Sequence, residues 1–205
     1  MSIVDKRRQL TAFLPPPLRA QVDSVRRRWD PEMATLIGGH FTVCHRVLDG
    51  RWESSVEALA KCESLRVRIG GARHWGDPSR GIYLEVSDLH STVSRLRELI
   101  SVADSPDTVY EPHVTLTHPR TTPPEVARDA WAELDGWTLD AEIQIDVIDL
   151  IQHDGVAWRT LDRVTPGVNL ATVRSLGEPI ASPISVDIPL IGEAFGLLLV
   201  EQDLM

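Results

Sequence analysis

The sequence predicts an α+β domain in which sheet and helix alternate with approximate internal duplication, followed by an extension of different texture. Two observations carry this. Stretches of alternating apolar and polar residues, which suit half-buried strands, are separated by stretches with apolar residues at helical spacing. They run strand, helix, strand, helix, strand pair, helix, strand, helix, strand pair, and each half contains one strand opening His-x-Thr: His40-Phe41-Thr42 and His113-Val114-Thr115.

Taken in order, Gln9–Leu14 reads as a short strand ended by Pro15–Pro17. Leu18–Trp29 carries Leu18, Val22, Val25 and Trp29 on one helical face, and its Arg26–Arg28 run reads as a solvated helix end rather than a nucleic-acid contact. His40–His45 is a strand opened by Gly38–Gly39, and Ser54–Leu65 is helical by pattern. Val67–Trp75 and Ile82–Val86 form two strands joined across Gly76–Gly81, with Gly70, Gly71 and Gly76 read as hairpin breakers. Ser87 or Asp88 would cap a helix running to about Ile100, followed by a polar loop over Ser101–Pro112. His113–His118 is the second His-x-Thr strand, and Glu125–Leu134 the next helix. Thr138–Ile151 and Ala157–Leu161 complete a hairpin-like ending. The domain is therefore placed at residues 1–162. Residues 163–205, rich in proline and then apolar over Phe195–Val200, form an appendage with one or two strands that packs on the core or on a partner subunit.

Composition bounds the function. The 205 residues are 42% hydrophobic and 25% charged, ordinary for a chain with a real core. No apolar run approaches the roughly 18 residues of a membrane span, and the N-terminus lacks the apolar stretch of a signal peptide. Cys44 and Cys62 make neither a Cys-x-x-Cys pair nor a disulfide framework, so a reducing cytoplasm is the expected compartment. The formal charge of −9 argues against an extended nucleic-acid track, which needs a basic surface to neutralise phosphates. A small phosphate-bearing ligand or an RNA end needs only a local positive pocket.

Strand alternation sets His40, Thr42 and Cys44 on one face and Phe41, Val43 and His45 on the other. In the second motif His113, Thr115 and Thr117 face away from Val114, Leu116 and His118. The intervening residues Phe41, Val43, Val114 and Leu116 are all apolar, so one face would bury while the other presents imidazole and hydroxyl together. Phosphodiester cleavage without a metal wants this set. A neutral imidazole takes a proton from water, a protonated one gives a proton to the departing alkoxide, and hydroxyls hold the non-bridging oxygens. One His-x-Thr is a weak signal, since chance supplies about 0.4 in a chain of this composition. Two with matched apolar spacers are not. A third tripeptide, His90-Ser91-Thr92, lies in the expected helix with a polar middle residue and is set aside.

On these residues the chain resembles the 2H phosphoesterase superfamily, in the branch of RNA 2′,3′-cyclic phosphodiesterases, also called 2′-5′ RNA ligase-like proteins. The likeness spans about residues 8–162: LTAFLPPPLRAQVDSVRRRW is similar to the first strand and helix, VRIGGARHWGDPSRGIYLEV to the central strand pair, EPHVTLTHPR to the second motif and DVIDLIQHDGVAWRTL to the closing hairpin. The resemblance implies a bilobal fold of two related sheet-and-helix halves with both motifs facing a central cleft. It also implies hydrolysis of 2′,3′-cyclic phosphates of RNA ends or nucleotides to 2′-phosphates, with no metal or other cofactor. Carried over, His40 and His113 are the acid–base pair, and Thr42 and Thr115 hold the phosphate. The chain departs from the family at His118, where many members have Arg, with Arg120 two residues on; the tail has no counterpart.

Other readings keep part of this picture. The same site would serve another phosphodiester, such as ADP-ribose cyclic phosphate or a 2′-5′ oligonucleotide, or a non-catalytic module binding nucleotides or RNA ends. The tail would serve a homodimer. His45 and His118 lie on the opposite strand face from the motif histidines and read as core or rim residues, and no zinc pattern is present. Trp75, Tyr83 and Tyr110 have the chemistry to stack a nucleobase, but core packing is the simpler reading of each, and Cys44 reads as a small wall residue.

Overall fold

A computed structural model describes residues 7–45, 52–61, 64–100 and 111–167. The expectations for Cys62, Tyr110, most of the loop after Ile100 and the tail beyond residue 167 lie outside them. The elements are β1 (Arg8–Phe13), α1 (Pro16–Trp29), α2 (Pro31–Leu36), β2 (His40–His45), α3 (Trp52–Lys61), β3 (Leu65–His74), β4 (Ile82–Asp88), α4 (Thr92–Ile100), β5 (His113–Thr117), α5 (Pro124–Leu134), β6 (Thr138–Ile145), β7 (Ile148–His153) and β8 (Trp158–Val164). A short 3₁₀ turn at Pro78–Arg80 lies between β3 and β4.

All eight strands join one antiparallel sheet in the order β6-β3-β4-β5-β2-β1-β7-β8. Its two halves mirror one another in connectivity. In the first, β1 leads through α1 and α2 into β2, its antiparallel neighbour; in the second, β4 leads through α4 into β5. The two His-x-Thr strands are thus the innermost strands, and they pair across the middle, with Phe41 opposite Val114. The helices cross over: α1 packs on β5 of the other half, and α4 packs on β2.

The buried face is the expected one. Phe41, Val43, Val114 and Leu116 are fully buried and join a single core with Leu10, Val22, Leu84, Leu96 and Ile148. Each such side chain contributes about 1.5–3 kcal/mol by leaving water. Gly39 lets α1 approach β2, since a Cβ there would lie 3.0 Å from Val22 Cγ1. The N–H of Gly39 donates to Asp23 Oδ1 at 2.7 Å, and its carbonyl accepts from Leu14 at 3.1 Å.

Several expectations are corrected. Helix α1 starts at Pro16, because prolines fit a first helical turn whose N–H groups have no intrahelical partner. Asp30-Pro31 starts α2, a helix absent from the sequence reading; Asp30 accepts from Met33 N–H at 3.1 Å. Arg26 is not on a solvated helix end but buried, donating to the Met33 carbonyl at 3.1 Å; Arg27 and Arg28 are exposed. Leu65 opens β3 instead of closing α3. Asp88 ends β4 and caps α4 from a distance, accepting from Thr92 and Ser94 N–H groups at 2.9 Å each. Consequently His90 and Ser91 lie in a turn, not a helix. Gly70 and Gly71 sit at a register shift inside β3, and the turn glycines are Gly76 and Gly81, both with positive φ. Thr138–Ile151 divides into β6 and β7, which lie far apart in the sheet: β6 pairs with β3 and β7 with β1, so the closing hairpin is β7–β8, which extends to Val164.

Asp30 ties the halves together. It is fully buried and accepts from the backbone N–H of His118 and the Thr121 hydroxyl, each at 2.8 Å, as well as from Met33. Asp30→Ala would strand these donors and leave Arg26 with less opposing charge, lowering unfolding stability by about 3–5 kcal/mol in urea titrations. A change under about 1 kcal/mol would show that this junction does not hold the halves.

Candidate active site

The motif side chains are carried by the innermost strands. Continuing the Phe41–Val114 register by one residue each way sets His40 opposite Thr115 and Thr42 opposite His113. In an antiparallel pair such residues share a face, and diagonal neighbours such as His40 and His113 have backbones roughly 7–8 Å apart. All four side chains are half-buried, while the residues between them are fully buried.

Both imidazoles are aimed in the same way. His40 Nδ1 lies 2.8 Å from the carbonyl of Gly38, and His113 Nδ1 lies 2.8 Å from the carbonyl of Glu111. A carbonyl can only accept, so Nδ1 carries the hydrogen in each ring and Nε2 is left for a ligand. In the neutral ring that Nε2 is a base; in the protonated ring it is an acid. The repeated anchor, two residues upstream in the same chain, is a local feature of each motif.

The two environments differ. His40 keeps some solvent access, yet enough protein surrounds its ring that burial pushes its pKa from 6.5 down to about 4, against the favourable carbonyl of Gly38. Arg26, His113 and His45 add smaller repulsions in the same direction. The His113 contribution shows that the two motif imidazoles sense one another's charge. His40 is therefore neutral near pH 7.

The hydroxyls of Thr42 and Thr115 have no hydrogen-bond partner among the described residues, so both are open to a ligand. Thr117, on the same face by alternation, is buried and committed: its hydroxyl accepts from Ile82 N–H at 3.1 Å. Cys44 is not on the motif face: the register shift between β1 and β2 breaks the alternation, and Cys44 is buried in the core opposite Leu10.

Aromatic rings stand beside each histidine. Phe13 lies 5.9 Å from His40 between ring centres. Trp75 stacks on Tyr83 at 4.1 Å and 23°, and both approach His113 edge-on, at 5.1 and 5.4 Å. Trp75 is 38% exposed, so this pair is not core packing, as the sequence reading preferred. Burial, with Glu111 and Glu85 nearby, pushes the Tyr83 phenol above its ordinary range and keeps it protonated. The pairing of β4 with β5 sets Tyr83 next to His113, and the pairing of β3 with β4 brings Trp75 onto Tyr83; nothing in the local sequence marks either.

His45 and His118 line a cavity together with Arg120. The register shift between β1 and β2 corrects the alternation for His45: it pairs with Gln9, whose side chain donates to the hydroxyl of Thr11, the partner of Thr42, so His45 stands on the Thr42 face. Among the described residues no group of three or more His, Cys, Asp or Glu is placed to hold a metal ion.

A family model described as the 2′-5′ RNA ligase superfamily matches residues 14–157. The chain belongs to this superfamily. A search of curated protein sequences finds no match. Solved structures similar to this 2′-5′ RNA ligase superfamily member include TT0787 of Thermus thermophilus, with a TM-score of 0.52 and 15% identity over 80% of this chain and 99% of that one. E. coli LigT is also similar: its complex with 3′-AMP has a TM-score of 0.50 at 15% identity, over 78% and 97% of the two chains. The LigT complex with phosphate has a TM-score of 0.51 at 16% identity over the same shares. At these identities the likeness establishes the fold, that of the 2H phosphoesterases, and with it the α+β architecture of two related halves.

The depressed His40 pKa links folding to pH. Between about pH 6.5 and 4 the unfolded chain takes up a proton at His40 that the folded chain refuses, so stability falls as pH is lowered through this window. Urea unfolding of His40→Gln should show a shallower loss between pH 6.5 and 4 than the parent protein. Equal slopes would place the His40 ring in an ordinary environment.

Proposed function

We propose that this protein is a phosphodiesterase that opens 2′,3′-cyclic phosphates of nucleotides or RNA ends to 2′-phosphates, with His40 as base, His113 as acid and no metal. The observation supporting this most strongly is the pairing of β2 with β5, which sets two Nε2-presenting imidazoles and two uncommitted threonine hydroxyls on one face. His40, held neutral by burial, takes a proton from water as the water oxygen bonds to phosphorus. The bond from phosphorus to O3′ breaks, and the His113 imidazolium gives its Nε2 proton to O3′. A 2′-phosphomonoester and a free 3′-hydroxyl result, with the proton now on His40; its return to His113 through solvent resets the pair. Thr42 and Thr115 donate to the non-bridging oxygens, where charge accumulates.

A nucleotide suits the surroundings. The Trp75–Tyr83 stack next to His113 offers an exposed indole face to a base. The similar LigT has been solved with 3′-AMP and with phosphate, ligands of the same chemical kind. An anionic substrate between the rings would raise both imidazole pKa values, easing proton transfer to His40.

Incubation with the four nucleoside 2′,3′-cyclic phosphates, with identification of the product isomer, tests the reading. The 2′-phosphate should form in the presence of chelators, and His40→Ala and His113→Ala should each lower kcat by about 10²–10⁴-fold. Chelator-sensitive turnover, a 3′-phosphate product, or a fully active His113→Ala protein would refute it. The acid limb of kcat/KM, which reports the free protein, should fall near pH 4 and not near 6.5. Trp75→Ala should raise KM about tenfold, with Trp75→Phe restoring most of the loss; an unchanged KM would remove the indole from substrate binding.

A further inference from the structure

A cavity of about 420 Å³ is lined by none of the motif residues. Four stretches of chain build its walls: the start of β1 with Arg7 and Arg8, helix α2, the turn after β5 with His118 and Arg120, and the β7–β8 hairpin with His153 and Trp158. His45, at the end of β2 and paired with Gln9 of β1, completes it.

Its lining holds three arginines and three histidines and no carboxylate, in a chain whose formal charge is −9. That contrast is the first argument for an anion. Elsewhere Arg28, Arg68, Arg73, Arg159 and Arg163 each meet an Asp or Glu. Among the described residues the guanidiniums of Arg7 and Arg120 meet none. Cations concentrated in a concave site raise one another's energy, and a bound anion relieves this. The effect is visible at His118, whose pKa is lowered by burial and then by Arg120 and Arg7, against the opposing pull of Asp30.

Two of the three imidazoles are preset as donors. The backbone N–H of Arg120 donates to His118 Nδ1 at 3.1 Å, and that of Gly155 donates to His153 Nδ1 at 3.2 Å. Each Nδ1 therefore accepts, and each Nε2 carries a hydrogen even in the neutral ring, the reverse of the motif histidines. Donors in this number and of this kind fit phosphate oxygens. The remaining surface is apolar: Met33 and Leu36 from α2, and a half-buried Trp158 braced edge-on by His153 at 5.2 Å. A cavity of this size accommodates a mononucleotide.

We propose that this cavity is a second ligand site, taking a nucleoside monophosphate, with Arg7, Arg120 and the Nε2–H of His118 on the phosphate and Trp158 against the base. The site does not depend on the activity proposed for the motif pair, and its test is independent of turnover.

Titration of isotopically labelled protein with AMP, inorganic phosphate and adenosine, followed through the ring signals of His118 and His153 and the indole N–H of Trp158, decides it. AMP should shift all three signals, in the parent and equally in a His40→Ala/His113→Ala protein whose own motif site is impaired. Adenosine should bind at least about tenfold more weakly than AMP, as should AMP to Arg7→Ala/Arg120→Ala, since each loses charge-assisted hydrogen bonds. Trp158→Leu should weaken AMP but not phosphate. Signals unmoved by millimolar AMP, or AMP affinity unchanged by loss of both arginines, would overturn the site. Phosphate binding as tightly as AMP would overturn its assignment to a nucleotide.

Discussion

Two imidazoles can address one phosphorus atom only while β2 and β5 stay side by side, and the backbone does little to keep them there. Their pairing registers at Phe41 and Val114, against four to six residue pairs for most other neighbours in the sheet. The halves are held instead by contacts that cross the seam. Asp30, at the junction of α1 and α2, fixes the end of β5 through His118 and Thr121. Arg97 on α4 donates to the Val43 carbonyl of β2 at 2.9 Å. Beneath both strands the Phe41, Val43, Val114 and Leu116 side chains share one core. Each half thus reaches over to secure the other's motif strand.

Within that frame the motif histidines are alike in aim and unlike in environment. The same backbone device turns Nε2 outward in both. Burial then favours the neutral form of His40, with the enclosed Arg26 adding to it. The sheet's near-symmetry supplies a matched pair, and the helices packed around it make the pair unequal, which general acid–base chemistry requires. His118 and His153 carry the opposite arrangement, with Nδ1 accepting and Nε2–H presented. Identical side chains thus present a bare Nε2 on the motif strands and an Nε2–H elsewhere.

Much of this is legible from residue order because the signals are local. Strand period places His40 with Thr42 and His113 with Thr115, and the apolar spacers mark the buried face. Boundaries go astray where local signals conflict with packing. Leu65 continues an apolar helical pattern but is drawn into β3 beside Ile145 of β6. Thr138–Ile151 is extended almost throughout, and its division between two distant places in the sheet depends on partners far away in sequence. Asp30-Pro31 does carry a helix-start signature, and α2 follows from it. The burial of Arg26, the Trp75–Tyr83 stack beside His113 and the gathering of Arg7, His118 and Trp158 arise from tertiary assembly, and no window of sequence contains them.

The antiparallel pairing of β2 with β5 has a stereochemical corollary. A half-turn about an axis through the centre of the seam exchanges β2 with β5 and hence one imidazole with the other. A phosphorus atom placed on that axis would have its two apical positions exchanged by the same half-turn, each facing one ring. On the function proposed above, entering and departing oxygens would meet equivalent backbone geometry, so a site that opened a cyclic phosphate would also serve the microscopic reverse, and direction would fall to the relative abundance of water and of the competing hydroxyl.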